Sequence, residues 1–523
     1  MTSMDGGSVR RYSFLIAAVV TIAAGCHAVA EAESGDANPL APRLAEIRSG
    51  IVEKVDSGEL PSLAVAVYAD GKMIWEEAIG WADKEKKIKA TADSIYGLGS
   101  LSKSITATGL MVLVERGLVD LDAPINRYLG EQKLTVCVDT DDSITVRHLL
   151  TCSAGIPHGW YGYVLGDEPD FVAGDEYVRR FGLVAFPPRE RFLYSNHAYG
   201  MAREIIARAS GQSFEEFMRK EVFEPLGMMS SGLGIVTTDD EVAIGYYEDV
   251  PLPKGYVTGP VGGATLFSSA SDLMRYALFN LGQPPADQKP IFGKETLKAM
   301  HSGRDDSLPG SWMALGWGVL DMGEGGTLLI SNGEVTGANA TVLLLPDREI
   351  AIVCLANEAF SPSISDATAF AIAEVLAPGF EKQMEQLQSK FEALYGGEYE
   401  VTDELLGSWQ GEITSADGNV PLTLLFQADG DIHVRVGDGL RTLLDRTRLS
   451  TGLIAGSCVG SLPGPENFEP GQLAFYLAPG KDEITGYVQW RTQRTDAEGE
   501  SWSMVLPGCV SMVRTGGDDS PPE

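Results

Sequence analysis

Ser100 and Lys103, in the segment "YGLGSLSKSITATG", stand three residues apart, the spacing at which an amine reaches a hydroxyl on the same face of a helix. A serine becomes a nucleophile when a neighbouring base takes its proton, and no imidazole lies near this one in sequence. A lysine can serve if apolar surroundings strip water from its ammonium and favour the neutral amine. The apolar stretch from Leu110 to Val114, with Gly117 as a stop, predicts a helix buried on most sides, with Ser100 near its start. A second pair, Tyr194 and Asn196, occurs in "RFLYSNHAYGMAREIIARASG", just ahead of a helix whose apolar face runs through Ala198, Met201, Ala202, Ile205, Ile206 and Ala209. A phenol held near ammonium groups can pass a proton to a leaving group, and an amide can orient both Lys103 and a substrate carbonyl. The plainer alternatives are a packing tyrosine and an asparagine that caps the next helix.

These residues need a scaffold, and the flanking sequence predicts one. "SLAVAVYADGKMIWEEAIGWAD" reads as two strands joined by a tight turn at Asp70-Gly71, and "ATVLLLPDREIAIVCLAN" as two more with Pro346 to Glu349 between them. Mostly helical segments lie between these hairpins. That order predicts an α+β fold, an antiparallel sheet flanked by helices with a long helical insertion. After residue 378 the chain turns to the polar helical run "FEKQMEQLQSKFEALYGG", and 379–404 is expected to be a helical linker. From Leu405 to residue 515, short alternating segments broken by Asp-Gly pairs, such as "PLTLLFQADGDIHVRVGDG", predict a small all-β barrel or sandwich. The tail 516–523 has nothing to bury and is expected to be disordered.

At this point the chain resembles the serine β-lactamase and penicillin-binding-protein superfamily, in the branch of class C β-lactamases, related esterases and D-amino-acid peptidases. The resemblance spans about residues 40 to 378, and besides "SLSK" and "YSN" it covers "GLVDLDAPINRYL", "ITVRHLLTCSAGIP", "GGATLFSSASDLMRYA" and "LGWGV". It implies a β-lactamase/transpeptidase-like fold, a serine acylated by substrate at Ser100, proton handling by Lys103 and Tyr194, and assistance from Asn196. It also implies a pocket-lining strand, matched by "ISNGEVTGANATVLLLPD", with Ser331, Asn332 and Gly333 in the third motif. Ser331 stands where the family usually has a cation and offers a carboxylate no charge, which mildly favours neutral ester or amide substrates. The implied oxyanion hole is the backbone N–H of Ser100 and of Glu334. Residues 33–378 are thus expected to be a serine hydrolase acting on esters, amides, D-amino-acid peptides or β-lactams. The alternative is a non-catalytic binding or scaffold protein that keeps the fold. The barrel resembles lipocalin-like appendages of this superfamily.

Composition narrows the partners. Of 523 residues, 73 are acidic and 40 basic, and a net charge of -33 repels phosphate-rich polymers, so a small molecule or peptide is expected and nucleic acid is not. No spacing suits a metal or other cofactor, and none is expected. Residues 1–32, with Arg10 and Arg11 ahead of "FLIAAVVTIAAG", read as an export signal, either cleaved after Ala30 or lipid-modified at Cys26, which would place the protein in the periplasm, outside the cell or anchored to an outer membrane. Five cysteines remain, and Cys458 with Cys509 is the first expected disulfide, Cys137 with Cys152 the second. Cys354 reads as a buried hydrophobe. Ser153 in "TCSAG" and the histidines His148, His158 and His197 are expected to be structural, whereas Trp160, Tyr161 and Tyr163 divide evenly between a pocket mouth and a surface loop.

Overall fold

The structure, a computed structural model, describes residues 40–140, 143–165, 173–233, 241–303, 313–358, 363–395, 399–450, 452–464, 468–495 and 501–515. The expected export signal, with Cys26, and the 516–523 tail lie outside the described residues. The central sheet contains β1 (Ser62–Ala69), β2 (Lys72–Asp83), β3 (Ile88–Lys89), β4 (Gly318–Asp321), β5 (Thr327–Val335), β6 (Ala338–Leu345) and β7 (Ile350–Ala356). Its order is β4-β5-β6-β7-β1-β2-β3, antiparallel throughout, so the N-terminal hairpin and the C-terminal strands meet where β1 pairs β7, Leu63 opposite Ala356. The first turn forms as its residue pair predicts, with Asp70 and Gly71 both at positive φ, 53° and 74°. Every residue of β6 and β7 is buried, in keeping with the apolar runs Val342–Leu345 and Ile350–Ala356: helices cover both faces of the sheet.

The longer helices among the described residues are α1 (Leu40–Asp56), α2 (Ser102–Glu115), α3 (Gly174–Phe181), α4 (Asn196–Ser210), α5 (Ala270–Asn280), α6 (Lys294–Ser302), α7 (Ile364–Leu376) and α8 (Phe380–Tyr395). Helices α1 and α7 pack together on one face, where Asp366 of α7 accepts from Thr341 on β6 at 2.6 Å. The opposite face carries α2 and α5, joined by a hydrogen bond between Thr108 and the Tyr276 hydroxyl at 2.9 Å.

After α8 comes a nine-stranded antiparallel sheet: β8 (Gly407–Ser415), β9 (Gly418–Phe426), β10 (Ile432–Val436), β11 (Thr442–Leu443), β12 (Asp445–Ser450), β13 (Leu453–Gly460), β14 (Gly471–Pro479), β15 (Glu483–Thr495) and β16 (Ser501–Arg514). Its order is β11-β10-β9-β8-β16-β15-β14-β13-β12, so the two edges are adjoining pieces of one stretch of chain, and the sheet curls into a nearly closed barrel. Trp409, Leu424, Ile432, Phe475, Val488 and Trp490 are buried within the barrel's core positions.

On the other side of its strands the barrel meets the N-terminal region. Leu453, Ala455, Tyr476, Tyr487 and Cys509 form a buried cluster with Leu183, Ala185, Phe186 and Leu193. Beside it the nearly buried Arg180 pairs with Asp417 at 3.0 Å. Cys137 is disulfide-bonded to Cys509, correcting both expected pairings. Cys458 lies on β13 and Cys509 on β16, with two strands between them, roughly 14 Å at ordinary strand spacing and far beyond disulfide reach. Cys152 is free and buried, its thiol 3.5 Å from the Met313 sulfur, and Cys354 is free and buried as expected.

Candidate active site

A short 3-10 turn, Gly99–Leu101, places Ser100 directly ahead of α2. Two glycines allow this turn to lie against β5. Gly99 has φ +51°, and a Cβ there would sit 3.0 Å from the Glu334 nitrogen. A Cβ on Gly333 would sit 2.1 Å from the Leu98 carbonyl oxygen and 2.4 Å from the Ser100 nitrogen. The backbone nitrogens of Ser100 and Glu334 therefore lie close together where the turn meets β5.

Residues Ser102 through Leu113 of α2 are all buried, and Lys103 is only 1% exposed. Its Nζ donates to Ser100 Oγ at 3.1 Å, Asn196 Oδ1 at 2.5 Å and the Gly263 carbonyl at 2.9 Å. All three partners are neutral. Burial therefore dominates and pulls the Lys103 ammonium down to about 7. The nearby Cys152 thiol, pushed up to about 11 by its own burial, supplies no anion at neutral pH.

Asn196 opens α4, but the cap is Ser195, whose Oγ accepts from the Ala198 N–H at 3.1 Å. The Asn196 side chain is thereby free to reach inward, with Oδ1 on Lys103 and Nδ2 donating to the Gly159 carbonyl at 3.3 Å. Half-buried Tyr194 presents its ring to the ammonium, with Lys103 Nζ 4.7 Å from the centroid. The His158 ring stacks on Tyr194 at 5.7 Å between centroids.

The third motif divides between the two faces of β5. Ser331 donates to Ser104 Oγ on α2 at 2.9 Å, so its hydroxyl proton is committed within the protein. Asn332 turns the other way, and its Nδ2 donates to both oxygens of Asp366 on α7, at 3.1 and 3.0 Å. Its side chain thus joins the packing between sheet and helix on the face away from α2. Gly333 touches the serine turn, and the Glu334 nitrogen lies beside Gly99.

Sequence reasoning missed Gly263 as a polar partner because its contribution is a carbonyl, which residue type does not encode. Thr106, which fixes the neighbouring loop by donating to the Gly262 carbonyl at 2.8 Å, was missed likewise. His148 closes a capping box with Thr145, and Ser153 bonds Thr151 at 2.9 Å. His197 bonds the Tyr177 hydroxyl at 3.1 Å, and burial pushes it down to about 3. Tyr161 and Tyr163 are neither pocket mouth nor surface loop: each is 1% exposed and packed in the interior near the barrel.

Comparison with known proteins identifies the family. A family profile described as Beta-lactamase matches residues 47–377. The Unguisins hydrolase ungD' of Aspergillus campestris is 26% identical over 355 residues, 63% of this chain and 63% of the relative. Esterase EstB of Burkholderia gladioli is 30% identical over 253 residues, 40% of this chain and 64% of the relative. The chain thus spans less than two thirds of the length of either. The octameric penicillin-binding protein homologue from Pyrococcus abyssi, 23% identical, superposes with a TM-score of 0.56 over 88% of this chain and 99% of its own, which extends the likeness in fold through the barrel. With a match over well over half its length, the chain belongs to the beta-lactamase family, a family of serine hydrolases.

Proposed function

We propose that the protein is an exported serine hydrolase that forms an acyl-enzyme at Ser100. The observation that carries this reading is Lys103 Nζ at 3.1 Å from Ser100 Oγ, in surroundings that bring its pKa to about 7. Neutral Lys103 takes the Ser100 proton as Oγ attacks the substrate carbonyl. The N–H groups of Ser100 and Glu334 hold the negative charge that develops on the carbonyl oxygen. Tyr194, beside the new ammonium, gives its proton to the departing alcohol or amine and takes a replacement from Lys103, which returns to the neutral amine, and Asn196 keeps Lys103 aimed. Water then attacks the acyl-enzyme by the same proton route in reverse, releasing the acid and restoring Ser100.

Substrates are small or peptidic. Esters and D-amino-acid amides rank above β-lactams, because Ser331 carries no charge for a substrate carboxylate and its proton is already given to Ser104. A small cleft near the serine turn has a mixed lining, with Leu252, Tyr256, Leu266 and Phe267 beside Lys254 and Thr336. The Cys137–Cys509 bond supports an oxidising compartment, hence export.

The test is labelling with a fluorescent fluorophosphonate and a fluorescent penicillin, together with hydrolysis of p-nitrophenyl esters, nitrocefin and D-alanyl amides. Labelling and turnover are expected in the intact protein and lost in Ser100→Ala. An intact protein with neither adduct nor hydrolysis would instead be a scaffold that kept the fold.

A further inference from the structure

The segment 157–161 is gripped alternately from two sides. The Pro157 carbonyl accepts from Ser195 Oγ at 3.0 Å and the Gly159 carbonyl accepts from Asn196 Nδ2 at 3.3 Å, so these positions face the Tyr-Ser-Asn motif. The His158 carbonyl accepts from Gln489 Nε2 at 2.9 Å and the Trp160 carbonyl accepts from the Val505 N–H at 2.7 Å, so the intervening positions face the barrel. Tyr161 then bridges to Met504 in antiparallel fashion. This short extended segment behaves as a strand shared between the catalytic motif and β15 and β16.

Gln489 lies on β15 between Tyr487 and Arg491 and is 2% exposed. A buried amide that donates to a backbone carbonyl fixes the orientation of that peptide, because the alternative leaves an unpaired polar group out of water. One peptide further on, the Gly159 carbonyl determines which end of the Asn196 amide can face it. With Nδ2 held there, Oδ1 must face Lys103, at 2.5 Å. Released, the amide could rotate and set its NH2 against an ammonium that also only donates.

We infer that the barrel is a structural part of the active site and that Gln489 is a positioning residue. Through the His158–Gly159 peptides it holds the Asn196 amide in the orientation that aims Lys103 at Ser100. The inference rests on the serine hydrolase reading above and assigns the barrel a role within it.

The test is a double-mutant cycle, read as the saturating rate constant and the half-saturating concentration for labelling of Ser100 by a fluorescent fluorophosphonate in the full chain. Gln489→Met keeps the length and packing of the side chain and removes the donor. It is expected to slow saturated labelling about 10-fold or more, with the half-saturating concentration unchanged within about 2-fold. In the Asn196→Ala background the same change is expected to cost less than about 2-fold, because the residue it acts through is gone. Leu453→Ala, at the same interface but away from the segment, should lower the melting temperature and leave labelling unchanged. Should Gln489→Met fail to fold, Gln489→Asn, whose shorter amide falls short of the carbonyl, is read against the same expectations. Equal losses in both backgrounds, no loss in the wild-type background, or an equal loss from Leu453→Ala would each overturn the inference. A wild-type chain that is not labelled at Ser100 would overturn the hydrolase reading itself, a result distinguishable from all of these.

Discussion

Lys103 carries two demands that conflict, since a base at neutral pH must be uncharged whereas lysine in water is not. Burial among Ser100, Asn196, the Gly263 carbonyl and the rings of Tyr194 and Tyr199 meets the first demand at a cost in stability. Two results follow at this scale. The acidic limb of kcat/KM should have an apparent pKa near 7, activity falling below it as Lys103 gains a proton, because burial holds its neighbours Cys152 and Tyr199 neutral there. A pH–rate profile in which the limb lies below 5 would exclude Lys103 as the base. The second result concerns folding. The amine titrates near 7 in the folded chain against 10.5 when unfolded, so between these values the unfolded state binds the extra proton and stability rises with pH. Lys103→Met lacks this dependence. It should abolish acylation yet be more stable than wild type at pH 7, with the difference shrinking by about 1.4 kcal/mol per pH unit towards pH 10, as chemical denaturation at several pH values would show.

At the scale of elements, the decisive contact is between β5 and the turn that presents Ser100. Gly333→Ala would force a methyl into the Leu98 carbonyl and the Ser100 nitrogen, and neither backbone atom can retreat without moving the nucleophile. A loss of about 1–3 kcal/mol in stability is expected, with at least a 10-fold fall in Ser100 labelling. Denaturant titration and labelling rates on the same sample would check both. The hairpins, the buried helix after Ser100 and the helix after Asn196 were legible in the sequence because each is written in side-chain periodicity and turn residues. The division of Ser331 and Asn332 between opposite faces follows from strand alternation, yet which face meets α2 becomes clear only once the sheet is assembled. The alternating grip on 157–161 was not legible at all. It is made mainly by backbone carbonyls, and Tyr161 and Tyr163, read as either a pocket mouth or a surface loop, are buried beneath a domain whose docking no local pattern encodes.

For the whole molecule, the barrel changes what the sequence seemed to divide. Its alternation was plain, and the sheet closes nearly on itself as the short strands led one to expect. The run "LAFYLA" on β14 carries apolar residues in both phases, a sign of two buried faces whose second partner only the assembled structure identifies as Leu183, Phe186 and Leu193. The Cys137–Cys509 bond ties this contact across 372 residues of sequence. Cys137→Ser should lower stability by about 2–4 kcal/mol, and treatment with dithiothreitol should reproduce the shift in wild type and leave the variant unaffected, as melting curves would show. An unchanged melting temperature would mean that the apolar contact alone secures the barrel.

The same contact bears on how the protein can be taken apart. A fragment cut before Leu405 would leave Leu183, Ala185, Phe186 and Leu193 bare to water, a sticky strip of the kind that draws one copy of a chain to another. Such a fragment would clump in the tube, and silence from it would speak of lost solubility rather than lost chemistry.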